Sequence, residues 1–255
     1  AIIGRLPESC SWGAIIGQAV SRLQFLPPAM ATFLGDTVRG LSVAERQATC
    51  VHEAGHAVAF ALGGVSVRRV AVAPVGAESW CTDSGNGRTC SDLWGLCVKS
   101  ELVLPRQLLR WLMSEGGLQP DGRGYEIARQ SPEGRAQVEA LTPRQHREIR
   151  AQMVGLLAGP AAERIFRLEY LSLGERYEPG DTAKAEALAW LLPGTDELGH
   201  AARLAEITLR RPEVWSRVEA LAQALEDVGD IGDGIRGFLP AAEAHWPPGP
   251  QVFAG

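Results

Sequence analysis

Residues 42–64 of the chain read SVAERQATCVHEAGHAVAFALGG. Ser42 followed by Glu45 has the form of a capping box, in which the hydroxyl accepts the N3 backbone N–H and the N3 carboxylate accepts that of the N-cap. No proline interrupts the run to Leu62, and Gly63-Gly64 offers the stop expected past a helix end. The pattern predicts a helix over 43–62. His52-Glu53-Ala54-Gly55-His56 lies inside it as an H-E-x-x-H motif. Residues four apart sit one above the other on a helix, so both imidazoles can aim at one cation. Glu53 falls beside the pair, where a carboxylate can take a proton from water without being a ligand. Zinc fits this donor set, because it accepts imidazole and carboxylate tetrahedrally and keeps one position open in catalytic sites. A bound Zn2+ also lowers the pKa of its water to about 7. The competing reading is a chance match on an amphipathic helix. Against it stand the helical context and the use of two of only five histidines at the required spacing.

Working outward, Val65–Val75 is rich in β-branched residues and predicts one or two strands. Residues 76–100 read as an extended strand and then a loop. Leu102–Ser114 predicts a helix, and 116–134, with five glycines and two prolines, a loop. Thr142-Pro143 places an N-cap before proline at the first helical position. That helix is expected to run to about Leu157, to break or kink at Gly159-Pro160 and to resume through Phe166. Asp181–Leu192, Glu197–Leu209 and Pro212–Glu226 predict further helices. Residues 1–40 form a lead-in, 41–240 the main domain with an insertion at about 78–140, and 241–255 an irregular tail. The expected class is mainly α with a small β-sheet (α+β), a helix bundle whose short sheet covers the active helix.

The 255 residues carry a net charge of -5, 45% hydrophobic and 22% charged residues. That balance is globular and argues against nucleic acid as partner. No run approaches the roughly 20 apolar residues of a membrane span. Five cysteines are odd in number and sparse, so a reducing, cytoplasmic setting is expected, with a Cys81–Cys90 bridge open if the compartment oxidises. Cys50 reads as a packing residue. His146, His200 and His245 read as surface or core residues, with His200 a candidate hydrogen-bond donor to a transition state.

The third ligand is open on spacing alone. A metzincin needs Gly and His where Ala59 and Leu62 stand. A thermolysin-like site needs a Glu on a following helix, and Glu78 falls in a strand or loop. Asp181 reads from the residues as a helix N-cap. A family resemblance adds to this. LSVAERQATCVHEAGHAVA (41–59) resembles the start of the peptidase domain of FtsH-type AAA proteases, and VRRVAVAP (67–74) its following strand. LLAGPAAERIF (156–166) is similar to that family's Gly-Gly-Arg-Ala-Ala-Glu-Glu segment. PGDTAKA (179–185) resembles the element opening on its metal-binding Asp, and 194–199 and 217–239 its last helices. The likeness spans most of 41–240, in short motifs outside HEAGH.

The resemblance implies Asp181 as third zinc ligand and Glu163 as a carboxylate that orients a ligand ring. It departs at Pro160, which stands where the family has Arg, and in lacking a P-loop signature or membrane anchor in these 255 residues. Threading and unfolding are therefore not implied. In such peptidases a strand edge pairs with extended substrate; the candidates here are Gly76, Ala77, Glu78, Ser79 and Trp80. The expectation is an ATP-independent zinc metalloendopeptidase acting on flexible or unfolded polypeptide, with homo-oligomers open. The alternatives are a catalytically silent zinc-binding interaction module of the same kind, and another zinc hydrolase with the same ligands. Intact Glu53 favours the enzyme.

Overall fold

The computed structural model describes residues 40–83, 89–91, 93–109, 131–168 and 179–249. Residues 1–39 of the lead-in and 84–88, 92 and 110–130 of the expected insertion therefore lie outside the described residues. The fold is α+β, as the sequence predicts. Helix α1 (Val43–Leu62) has the capping box in full: Glu45 N–H bonds Ser42 Oγ at 3.2 Å, and Ser42 N–H bonds Glu45 Oε2 at 2.9 Å. From Cys50 to Leu62 every residue of α1 is buried, which makes it the central helix.

A three-stranded antiparallel sheet lies on α1. Strand β1 (Val67–Val72) is its middle, with Val70 opposite Cys97 of β4 (Gly95–Lys99) and Ile231 of β5 (Asp230–Ile231). Strands β2 (Cys81–Asp83) and β3 (Thr89–Ser91) form a separate hairpin. The Arg69 guanidinium fastens that hairpin to the sheet by bonding Asp230, the Thr82 hydroxyl and the Asp83 carbonyl. Cys81 pairs with Ser91 across the hairpin and is a free thiol in this structure. Gly76–Trp80, expected as extended strand, lie in turns and bends, and the ladder begins at Cys81. Gly76 N–H and the Ala77 carbonyl are bonded to Leu41, which ties this turn to the start of α1.

Helix α2 (Pro132–Glu139) begins inside the segment read as loop. Its Ser131-Pro132 start uses the same cap chemistry as Thr142-Pro143, with Ser131 Oγ accepting Gly134 N–H at 2.9 Å. Helix α3 (Pro143–Arg167) runs unbroken through Pro160. Proline there removes one backbone donor, but residues 151–162 are buried continuously, and packing against α1 outweighs the lost bond. Helices α4 (Pro179–Ala189), α5 (Glu197–Leu209) and α6 (Pro212–Val228) complete the bundle. Of the expected helix over 102–114, residues 102–105 are not helical, 106–109 are, as Pro105 suits a position just ahead of a first turn, and 110–114 lie outside the described residues.

Two devices set the position of α1. Small residues let α3 approach closely: a Cβ on Gly55 would lie 2.5 Å from Ala162 Cβ, and one on Gly155 would enter the Phe60 ring at 2.1 Å. Arg46 closes the other side, with Nε bonding the Ala73 carbonyl and its terminal nitrogens the Leu225 and Glu226 carbonyls. Both carbonyls belong to the last turn of α6, where Leu225 also accepts the Gly229 N–H at 2.8 Å. No helix among the described residues is long and apolar enough to cross a membrane.

Candidate metal centre

The spacing within α1 places His52 and His56 on one face, turned toward α3. Both rings are held through Nδ1. His56 Nδ1–H donates to the Gly155 carbonyl at 2.7 Å, and His52 Nδ1–H donates to Glu163 Oε2 at 3.1 Å. With Nδ1 committed on each ring, both Nε2 atoms are turned inward toward a shared point. The two Nε2 atoms are 3.0 Å apart. Space for the His56 ring comes from Gly159, where a Cβ would lie 2.3 Å from Nε2.

Helix α4 delivers the third group. Asp181 sits in its first turn, two residues inside the start rather than at an N-cap. Its Oδ2 lies 3.1 Å from His56 Nε2 and 3.7 Å from His52 Nε2, and Oδ1 accepts from Lys184 Nζ at 3.0 Å. His52, His56 and Asp181 thus offer three ligand atoms, all within 4.8 Å of one another, in a cluster that could hold a metal ion.

The electrostatics match. Burial works against charge on Asp181, but His56, Lys184 and the hydrogen bonds from both rings hold its carboxyl well below the usual range. A helix N-terminus favours the anion further. Burial also opposes a proton on His52, yet the bonds to Asp181 and Glu163 and the charge of Glu53 raise its pKa to about 10. Glu163 is held below its ordinary value by the His52 bond first and then by Arg167, whose Nε lies 2.9 Å from Oε1. In the metal-free chain the cluster therefore stores a proton where a cation would go.

Glu53 is buried beside the pair at 7% exposure and packs on strand β4: a Cβ on Gly95 would lie 2.5 Å from Glu53 Oε1. Strand β4 is an outer strand, paired among the described residues with β1 alone. It flanks Glu53 through Gly95. His200 is occupied elsewhere, 3.1 Å from the Pro248 carbonyl. Residue patterns alone do not mark Gly95, Gly155 or Gly159 as making room for the side chains of the cluster. Glycines sharing a motif neighbourhood were the available signal, but their partners are remote in sequence.

The chain matches no protein-family model and no curated protein. The geometry of the cluster therefore carries the functional reading.

Proposed function

We propose that the chain is a zinc metallopeptidase of the kind its FtsH-like motifs imply, cleaving flexible or unfolded polypeptide without a motor of its own. The observation that carries this reading is the convergence of His52 Nε2, His56 Nε2 and Asp181 Oδ2 next to Glu53. The ligand-atom triangle has edges of 3.0, 3.1 and 3.7 Å. Zinc bonds of about 2.0–2.1 Å at tetrahedral angles need donors about 3.3–3.4 Å apart, so the set fits the ion as it stands. Two neutral imidazoles and one carboxylate also leave a net positive site, with a fourth position for water or substrate.

When bound, the ion would supply Lewis acidity, polarising the scissile carbonyl and acidifying water. The chain does the rest. His52, His56 and Asp181 hold the ion, while Glu163 and the Gly155 carbonyl fix the ring orientations. Glu53 takes a proton as water adds to the carbonyl carbon, and returns it to the amine nitrogen as the C–N bond breaks. The edge position of β4, which pairs among the described residues with β1 alone, supports this as a place where an extended peptide would add beside Glu53.

The test is Glu53→Gln in the full chain. Metal content should stay at that of the wild type, and cleavage of an unstructured protein such as a denatured, alkylated substrate should fall by about 10²–10⁴-fold. Equal cleavage by both proteins, or none by the zinc-loaded wild type, refutes the peptidase reading. The second outcome leaves the zinc-binding interaction module.

A further inference from the structure

Lys99 stands close to this centre and has no part in the mechanism above. The period of two along β4 puts Gly95, Cys97 and Lys99 on one face, the face that carries Gly95 against Glu53. At its far end the Lys99 ammonium lies 5.0 Å from the centroid of Phe60. The Phe60 ring in turn stacks on His56, with centroids 6.1 Å apart and planes at 22°. From α3, Gln152 Oε1 accepts a hydrogen bond from Lys99 Nζ, while Gln152 Nε2 donates to the Ser100 carbonyl at 3.3 Å.

The ammonium is thus held by a neutral amide and a ring face. Among the described residues no carboxylate forms an ion pair with it, and Glu101 and Asp181 act on it only through space. A partly desolvated cation without a counter-ion is costly, and burial pulls its pKa down to about 8. If Lys99 served only to join β4 to α3, a neutral side chain would make the same tie without that cost. Placed on the inner face of the strand proposed to hold substrate, the charge has a use.

We infer that Lys99 is a specificity residue that selects substrates carrying a carboxylate near the bond to be cut. This rests on the peptidase reading and names its substrate class. Four residues of strand span about 13 Å, so the carboxylate belongs within about four residues of the scissile bond. Its source is either an acidic side chain or a free C-terminus. The ammonium would exchange or share its Gln152 bond for one to a carboxylate, which adds the attraction of opposite charges to the hydrogen bond.

The zinc-loaded full chain is given fluorogenic peptides differing only by Glu or Gln at each of four positions on either side of the cut. A parallel set differs by C-terminal acid or amide. Wild type should favour the carboxylate-bearing member about 10–100-fold in kcat/KM at one position or at the C-terminus. Preference in the first set identifies a side chain, and in the second a chain end. Lys99→Met should erase the preference while cleaving the neutral peptide within about threefold of wild type. Lys99→Arg should keep it. A second readout is binding of the same labelled peptides to Glu53→Gln, where Kd should show the same Lys99-dependent ratio. Equal treatment of both members by wild type in both assays overturns the inference, as does a Lys99→Met defect shared equally by charged and neutral peptides. Selective binding without cleavage keeps Lys99 as an anion selector and refutes the peptidase reading instead.

Discussion

Removing the Glu163 side chain isolates how much the ring orientation of His52 is worth. Its Oε2 accepts from His52 Nδ1 at 3.1 Å and its Oε1 from Arg167 Nε at 2.9 Å, and its side chain is 30% exposed. In Glu163→Ala the buried His52 ring loses its acceptor, its tautomer is no longer fixed, and Nε2 is less basic. Outer partners of this kind change metal affinity by about 10–100-fold, or about 1.4–2.7 kcal/mol. Glu163→Gln keeps a neutral acceptor and should fall at the lower end. Arg167→Ala leaves the His52 bond in place, and the exposed ion pair it removes contributes only about 0–1 kcal/mol, so its effect should stay within about threefold. Competition for Zn2+ against a chromophoric chelator at pH 7.5, with circular dichroism to confirm the fold, reads all three. An affinity for Glu163→Ala within twofold of wild type would falsify the assigned role of Glu163. Arg167→Ala as damaging as Glu163→Ala would trace the effect to the helix surface instead.

Two further outcomes follow from the same geometry. Gly159→Ala puts a methyl 2.3 Å from His56 Nε2. It should destabilise by about 1–3 kcal/mol through overpacking and weaken zinc binding more than about tenfold, read by urea midpoint and chelator competition; wild-type values in both would refute the close approach. For pH, the folded-state pKa of His52 is raised from 6.5 to about 10, so its contribution to the metal-free chain is full below about 6.5 and is lost as pH rises through about 10. The depressed Asp181 carboxyl contributes above about 3.9 and loses its effect as pH falls through its folded value. The urea midpoint of the chelator-treated chain should therefore decline from pH 7 to 8, before Lys99, whose pKa is lowered to about 8, adds stability in the opposite sense, while zinc affinity climbs over the same span, since the ion must displace the proton. A metal-free midpoint that rises or stays level over that range contradicts the stored proton.

Local signals made α1 legible: a capping box, an unbroken helical run and a Gly-Gly stop all act within a few residues of themselves. The His52–His56 pairing was legible for the same reason, because helix pitch alone fixes it. Asp181 was not, since its meeting with the rings depends on how α4 docks, and spacing supports an N-cap equally well; only the likeness of PGDTAKA to a family element pointed to the ligand. The missing donor of Pro160 predicts a break, whereas the burial of α3 on both sides of it decides the outcome. Helix α2 opens on Ser131-Pro132, the same hydroxyl-then-proline cap as Thr142-Pro143, but Gly134 shortly after it gives the segment the look of a loop. Strand β5, two residues long, has no period to detect. Lys99 drew no notice because a lysine on a short strand is ordinary until Phe60 and Gln152 close over it.

The two histidines are not equally open to change. The partner that aligns His52 is the tip of a side chain, so substitution at position 163 can loosen, tighten or recharge it. The partner of His56 is the peptide carbonyl of Gly155, which no exchange of side chain can delete. Adjusting the affinity of this centre, by natural drift or by engineering, should therefore proceed through one ring while the other serves as a fixed reference.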